Sequence, residues 1–581
     1  MRASAPSQLS PDYRERSLAA LRATQTDPLD VLVIGGGVTG AGVALDAVTR
    51  GLRTGVVEAQ DWAAGTSSRS SKLVHGGLRY LQMLDFHLVH EALTERDLLI
   101  DYLAPHLVKP VSFLYPLQHR VWQRAYVGAG VAMYDVLASL APGDRAMPWH
   151  RHVTRRGLER LFPDFRHDAA IGAVKYWDSS VDDARLVITL VRTAASYGAH
   201  AVSRLQVVDL TTAGSRVDGA LVRDLLTGEE FAVKAHHVIS ATGVWTEATE
   251  ALAEGQGGLR VLASKGIHIV VPRDRIRGES GLILQTEKSV LFVIPWSRYW
   301  IIGTTDTAWH EHLQYPVATA ADIDYVLDHA NDVLVEPLTR ADVIGSWAGL
   351  RPLLQPGTKE GTSSAKVSRE HTVASPRPGL TAIAGGKLTT YRVMAEDAVD
   401  FALGHQAKLM PSVTRRTPLL GAAGLDAQRN WLAAPAARYG WTAAMSEHLL
   451  HRYGSHVTDI VALCDDDAAL AEPLPHASAY LRAEITYAAR NEGAIHLDDV
   501  MAHRTRIVYE YADHGLGDVE DIADILAAEL DWSEGRRTEE IEAYRARCAA
   551  YREALTETTD ASAVAKIMRA PELSPLVELR K

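Results

Sequence analysis

Residues 30–59 read DVLVIGGGVTGAGVALDAVTRGLRTGVVEA. Val31 to Ile34 form an unbroken apolar run, the pattern of a strand covered on both faces. Residues 41–51, AGVALDAVTRG, have helical character, and TGVVEA at 54–59 makes a second buried strand. Between the first strand and the helix stands Gly35-x-Gly37-x-x-Gly40. Such spacing supplies a tight turn, close approach of backbone to a pyrophosphate, and close packing of helix on strand, with the helix N-terminus facing the phosphates. Glu58 ends the second strand, where a ribose-binding carboxylate belongs. The glycines alone would be a weak signal. Strand, turn, helix, strand and acid in register predict a Rossmann-like α/β dinucleotide-binding unit.

That unit by itself does not choose between NAD and FAD, but two later segments bear on the choice. In HHVISATGVWTE (236–247) a buried strand runs into Ala241-Thr242-Gly243. In GLTAIAGGKLTTYRVMAEDAVDFAL (379–403) another strand runs into Gly385-Gly386 and a long amphipathic helix. A second glycine-opened helix N-terminus suits an electron-rich flavin ring edge. An NAD domain needs no such late return, so FAD is the expected cofactor.

The totals set bounds. A chain of 581 residues exceeds one core and predicts two or three domains. Its formal net charge of -12 argues against a general nucleic-acid binder, without excluding a local basic pocket. The two cysteines, Cys464 and Cys548, read as buried or free thiols of a reducing compartment. The first residues lack the apolar core of a signal peptide, and no apolar run reaches the length of a membrane span. The nearest approach is AYVGAGVAMYDVLASLAP (125–142), which follows the basic, aromatic HRVWQR. It reads as a buried cap helix, with an interfacial helix as the alternative.

Six motifs carry a resemblance: VIGGGVTGAGVALDAVTRGL (33–52), SSKLVHGGLRYL (70–81), SKGIHIVVPR (264–273), IIGTTDT (301–307), WAGLRPL (347–353) and GGKLTTYR (385–392). Together they resemble the FAD-dependent, quinone-linked glycerol-3-phosphate dehydrogenases. YAARNEGAIHLDDVMAHRTRI (487–507) resembles that family's helical domain, so the likeness covers nearly the whole chain. The first half also resembles, more loosely, the D-amino-acid and glycine oxidase-like flavoproteins. The resemblance implies oxidation of sn-glycerol 3-phosphate to dihydroxyacetone phosphate, with FAD reduced and electrons passed to quinone. It also implies a homodimer, peripheral on the inner face of the cell membrane or cytoplasmic.

Residue by residue, the resemblance places Arg79, Arg351 and Arg369 in the substrate pocket. Arginine forks suit a phosphomonoester dianion by both charge and geometry. Tyr80 adds a hydroxyl donor or packs its ring. Lys387 matches a pocket lysine that binds phosphate or, with the helix dipole, offsets charge on reduced flavin. Ser68 and Lys72 sit where family members contact FAD, as do Leu388 and Thr389 in the Gly385-Gly386 turn. Thr389 and Thr390 bond the flavin or cap backbone. For the proton of the C2 hydroxyl the candidate is His268, whose ordinary pKa near 6.5 suits a base; Arg351 or a water chain could share the role. Catalysis is thus expected from His268, Arg351 and Lys387. His75 flanks the flavin in a role left open, and Asp306 shapes the pocket or holds its turn.

The run HLDDVMAHRTR (496–506) lacks any metal-ligand spacing and reads as an exposed charged helix, and the Cys464-Asp-Asp-Asp run as a solvated loop. No metal is expected. The expected organisation is an arm (1–28) with a short helix starting at Ser10-Pro11, and an FAD domain in three segments (29–105, 181–250, 370–405). The segments 106–180 and 251–369 form an antiparallel-sheet substrate cap between them. A linker (406–424) and an all-helical domain (425–581) follow. The rivals are a glycerol-3-phosphate oxidase using oxygen, an amino-acid oxidase-like enzyme, and a non-catalytic flavin-binding partner protein. Oxidases of the family tend to carry an insertion that is not evident here.

Overall fold

The structure is a computed structural model, and it describes residues 7–77, 85–119, 122–139, 147–253, 259–287, 290–355 and 371–580. Six strands set the frame of a first sheet: β1 (Leu29–Ile34), β2 (Thr54–Val57), β3 (His200–Val202), β4 (Glu230–Ser240), β5 (His371–Arg377) and β6 (Leu380–Gly385). They lie in the order β5-β6-β4-β1-β2-β3, parallel except at the β5 edge. Register aligns Ile34 with Val57 and Ser240, and Ser240 with Ala382. The chain therefore leaves β1, β2, β4 and β6 on one edge, through Gly35, Glu58, Ala241 and Gly386. A parallel sheet binds ligand at the carboxyl ends of its strands.

Among the helices of this half are α1 (Pro11–Ala23), α2 (Val38–Thr49) and α3 (Tyr391–Leu403). Ser10 caps α1, accepting from Tyr13 N at 3.2 Å. The Tyr13 hydroxyl donates to the Ala199 carbonyl at 2.5 Å and fastens α1 to the chain entering β3. α2 and α3 share one apolar cluster over one face of the sheet. Gly42 permits their contact, since a Cβ there would meet the Tyr391 ring at 3.0 Å.

A second sheet of mostly antiparallel strands supplies the wall facing that edge. In it Val261–Pro272 lies between Tyr299–Gly303 and Gly345–Leu354, pairing His268 with Gly303 on one side and with Trp347 on the other. Alternation puts Ile267, Ile269 and Val271 into one core and leaves His268 on the opposite face. The stretch 406–424 is packed rather than free: Leu419 is buried, and the Ser412 hydroxyl donates to Asp46 of α2 at 2.5 Å. From Leu425 to Ile567 the regular elements are all helices, apart from the isolated bridges Pro473–Leu481 and Leu9–Glu492, with their own apolar clusters.

Candidate active site

A cavity of about 620 Å³ opens along the carboxyl edge of the parallel sheet. Gly35, Gly37, Glu58, Ala241, Gly243, Gly385, Gly386, Lys387 and Leu388 all line it. Gly35 has φ +108° and lies so close to Ala241 that a Cβ would sit 2.7 Å from that carbonyl. Gly40 does not face the cavity; it lets α2 close on β1, since its Cβ would come within 1.9 Å of the Gly35 oxygen. Gly37 caps α2, whose first turn holds no acid. That leaves the positive end of the helix dipole directed at the cavity, as an anionic pyrophosphate requires. The Glu58 carboxylate accepts from Gly36 N at 2.6 Å and Gln60 N at 2.7 Å. Burial raises its pKa, against the pull of those two amides.

The second sheet contributes Pro352 to the lining, next in sequence to Arg351. Arg351 pairs across the sheet with Ser264, two residues from the Gly266–Gly349 pair. Its guanidinium lies over Gly266, where a Cβ would stand 2.3 Å from Nη2. Nη2 donates to Thr304 Oγ1 at 2.7 Å and the Thr305 carbonyl at 3.1 Å, and Nη1 is 3.6 Å from Asp306. Asp306 also accepts from the Ser264 hydroxyl, so it orients the arginine as well as its own turn. His268 stacks on Trp347 with ring centroids 5.3 Å apart. Its Nε2 shares a 2.8 Å hydrogen bond with Ser71 Oγ, while Nδ1 is buried with no hydrogen-bond partner among the described residues. Burial, and then the Arg351 and Lys72 cations, push its pKa down to about 3, well below the ordinary value expected from sequence. The ring is therefore neutral.

The stretch from Ser70 to Gly77 is the described part of SSKLVHGGLRYL. Arg79 and Tyr80 lie outside the described residues, as does Arg369. Ser70 lines the cavity and donates its hydroxyl to Asp183 at 2.7 Å. Lys72 points away from the cavity: Nζ meets Asp183 at 2.7 Å and the Ser68 carbonyl at 3.1 Å, 4.8 Å above the Trp347 ring. Burial first, and then Arg506, lower its pKa to about 8. Ser68 is likewise buried behind the wall, where Ser67 and Ser70 face the cavity. Thr389 uses its hydroxyl on backbone, accepting from His75 N at 3.0 Å and donating to His75 O at 3.2 Å. Behind Gly76, the Tyr134 hydroxyl accepts its amide at 2.9 Å and itself donates to Asp178 at 2.5 Å. The loop is thus clamped from three sides. Ser71, Asp183 and Trp347, all absent from the sequence-derived set, do much of this; DSSVDDARL, with two acids opening a helix, was the one readable sign of Asp183.

Comparison with known proteins joins this geometry to a family. Residues 30–392 match the FAD dependent oxidoreductase family, and residues 412–537 match the C-terminal domain of alpha-glycerophosphate oxidase. The chain belongs to the FAD-dependent oxidoreductases. It is 49% identical over 548 residues to glycerol-3-phosphate dehydrogenase 2 of Mycobacterium tuberculosis, covering 94% of this chain and 92% of that protein. Glycerol-3-phosphate dehydrogenase of Mycobacterium leprae is 47% identical over 567 residues, covering 97% and 95%. Among solved structures, the glycerol-3-phosphate dehydrogenase of Bacillus halodurans in complex with FAD superposes with TM-score 0.74 at 27% identity, over 93% of this chain and 98% of that one. The cofactor is FAD, and the cavity fits it: crowded glycines, a helix end without acids, and a buried carboxylate at the second strand.

In this flavoprotein the helical half is sewn to the FAD half through buried charge. The sequence expectation of an exposed charged helix at 496–506 is overturned: Asp499 is 2% exposed, His503 8%, Arg504 1% and Arg506 2%. Arg504 grips both oxygens of Asp61, at 2.6 and 2.8 Å, and His503 Nδ1 reaches Asp61 at 2.7 Å. Although burial opposes it, these partners hold the Asp61 carboxyl far below the usual range. Arg506 pairs with Asp182 at 2.6 Å and with Asp183, linking the helical half to Lys72 and Ser70. Glu492 accepts from Arg185 and Arg192, and Asp499 from Arg204 at 2.5 Å. Asp61, Asp499 and His503 bring ligand atoms within 4.8 Å of one another, but Arg504 occupies both Asp61 oxygens. The supposed solvated loop at Cys464 is instead the end of helix Val457–Asp466, with Cys464 buried. Burial raises both thiols to about 12.

Proposed function

We propose that the flavoprotein oxidises sn-glycerol 3-phosphate to dihydroxyacetone phosphate and delivers the electrons to a quinone. The observation that carries this reading is the Arg351 fork, held by Thr304, Thr305 and Asp306 and next in sequence to Pro352 of the FAD cavity. Its context is relatives named glycerol-3-phosphate dehydrogenase that align over almost the whole chain. Bound FAD supplies the acceptor for a hydride from C2. Arg351, held by Thr304, Thr305 and Asp306, receives the phosphate dianion. Arg79, Arg369 and Tyr80 are assigned to the same anion from their motifs. Lys387, at the turn from β6 into the helical turn preceding α3, offsets negative charge where it accumulates in the cavity. His268 Nδ1 takes the C2 hydroxyl proton, the ring held by Ser71 and Trp347. Bringing a dianion beside His268 counters the two cations and lifts its pKa toward the working range, so the base strengthens as substrate binds. Ser68, Lys72, Leu388 and Thr389 are assigned to positioning FAD, the second and last of them through the clamped loop.

A membrane-borne acceptor is supported by one surface. Helix Trp122–Ser139 buries Val131 and Tyr134 but exposes Tyr126 (57%), Met133 (44%) and Val136 (46%), and Trp149 is 53% exposed. An apolar helix face with aromatic residues suits docking in a lipid interface. No helix among the described residues is long and apolar enough to cross a membrane. Oxygen is the rival acceptor, favoured only by the alpha-glycerophosphate oxidase match of residues 412–537. Anaerobic stopped-flow of the holoprotein with sn-glycerol 3-phosphate decides: flavin absorbance should bleach within the turnover time and recover faster with a quinone analogue than with oxygen. Bleaching by glycine or by glycerol, and not by the phosphate ester, would overturn the substrate reading.

A further inference from the structure

The FAD cavity has one wall that neither half of the Rossmann unit provides. Pro575, Leu576, Val577 and Leu579 line it, from a segment beyond both regions matched by family models. They lie against Leu205, Gln206 and Val207, which follow β3, on the Glu58 side of the cavity. That is the adenosine end, since the carboxylate ending the second strand is the ribose position. The contact is specific. The Gln206 side-chain amide donates to the Val577 carbonyl at 2.8 Å and accepts from Val577 N at 2.9 Å, completing both backbone valences of one residue. Outside the cavity the segment is tied at both ends. Ser574 Oγ shares a 2.7 Å bond with His496 Nε2, Arg580 N donates to the Val208 carbonyl at 3.0 Å, and the Arg580 guanidinium pairs with Glu230. Having no helix or strand of its own, the segment keeps its path through these ties.

We propose that residues 573–580 form a strap across the adenosine half of the FAD cavity, and that opening it limits the release of FAD. A strap with no helix or strand, held by a few hydrogen bonds, opens more readily than the core, so it can govern cofactor exchange without touching the chemistry at the other end. The inference rests on the cofactor cavity alone, so failure of the substrate or acceptor reading leaves it standing.

The test uses purified holoprotein and follows FAD leaving into excess buffer by recovered flavin fluorescence. Two variants are compared with the parent: a stop after Pro571, and the double substitution Ser574→Ala/Arg580→Ala, which cuts only the ties outside the cavity. Release should quicken about tenfold in the truncated chain, equal to about 1.4 kcal/mol, and severalfold in the double variant. In the double variant the apoprotein unfolding midpoint and the turnover at saturating FAD should stay at the parent values. If truncation prevents folding, the double variant decides. Release within twofold of the parent in the double variant would overturn the proposal. So would faster release matched by an equally lowered apoprotein midpoint, which would make the segment a general stabiliser.

Discussion

Gly266 shows how single residues set this site. Because it has no side chain, the Arg351 guanidinium lies across the strand and reaches Thr304, Thr305 and Asp306. Truncating that arginine leaves the dinucleotide wall untouched. Arg351→Ala should retain FAD, with an unchanged flavin spectrum, while kcat/KM for sn-glycerol 3-phosphate falls at least about a thousandfold. A charged bidentate contact to phosphate is worth roughly 3 kcal/mol, and misplacement of the substrate adds to it. Full activity in that variant would remove Arg351 from the pocket. His268 gives a second residue-scale expectation, this time for stability. Its native pKa of about 3 lies below the value near 6.5 of the unfolded chain. The unfolded state therefore binds the proton first. Stability from the neutral ring is complete above pH 6.5 and is lost as pH falls from there toward 3. At pH 5.5 the loss is on the order of 1 kcal/mol from this one group. Relative to the parent, His268→Asn should show a smaller drop in unfolding midpoint between pH 7.5 and 5.5. An equal drop would mean the buried ring does not titrate in this way.

At the scale of elements, the glycine turn between β1 and α2 is the most constrained feature. Gly40→Ala would drive a methyl to within 1.9 Å of the Gly35 carbonyl, which is backbone and cannot swing aside. α2 must then tilt from β1, carrying its N-terminus away from the pyrophosphate position. The variant should purify colourless with near-parent far-ultraviolet circular dichroism; a yellow protein of parent FAD content would refute this geometry. The same turn was legible in sequence because every requirement it meets is local: a strand, a positive φ, a capped helix. His268 was legible for a similar reason, since Ile267 and Ile269 fix the face it occupies. The clamp on SSKLVHGG was not. Thr389 and Tyr134 lie hundreds and tens of residues away from His75 and Gly76, and nothing in a threonine announces which backbone it will hold.

At the scale of the whole molecule, the helical half reaches the site through charge. Asp61, Asp182 and Asp183 come from the FAD half, while Arg452, Arg504 and Arg506 come from the helices. Removing Arg504 leaves the buried Asp61 charge with only its His503 contact, and breaking a buried ion pair in this way costs about 3 kcal/mol. Arg504→Ala should therefore lower the unfolding midpoint sharply and expose the junction to limited proteolysis. A variant as resistant as the parent would show that the pairing contributes little.

The sequence by itself determined the elements whose pattern is local: the doubly wound FAD unit, the glycine-opened helix ends, the strand that presents His268, and the helical run after residue 425. Tertiary structure alone decided what surrounds the charged residues. HLDDVMAHRTR reads as a solvated face because its periodicity carries no record of a distant partner, and an arginine is polar whether it meets water or a carboxylate. Only when the fold brings Asp61 to Arg504 does the low dielectric of the interior turn those charges from surface decoration into a buried seam. The same holds for the strap: Val577 acquires its place when Gln206, 371 residues earlier, completes its backbone hydrogen bonds.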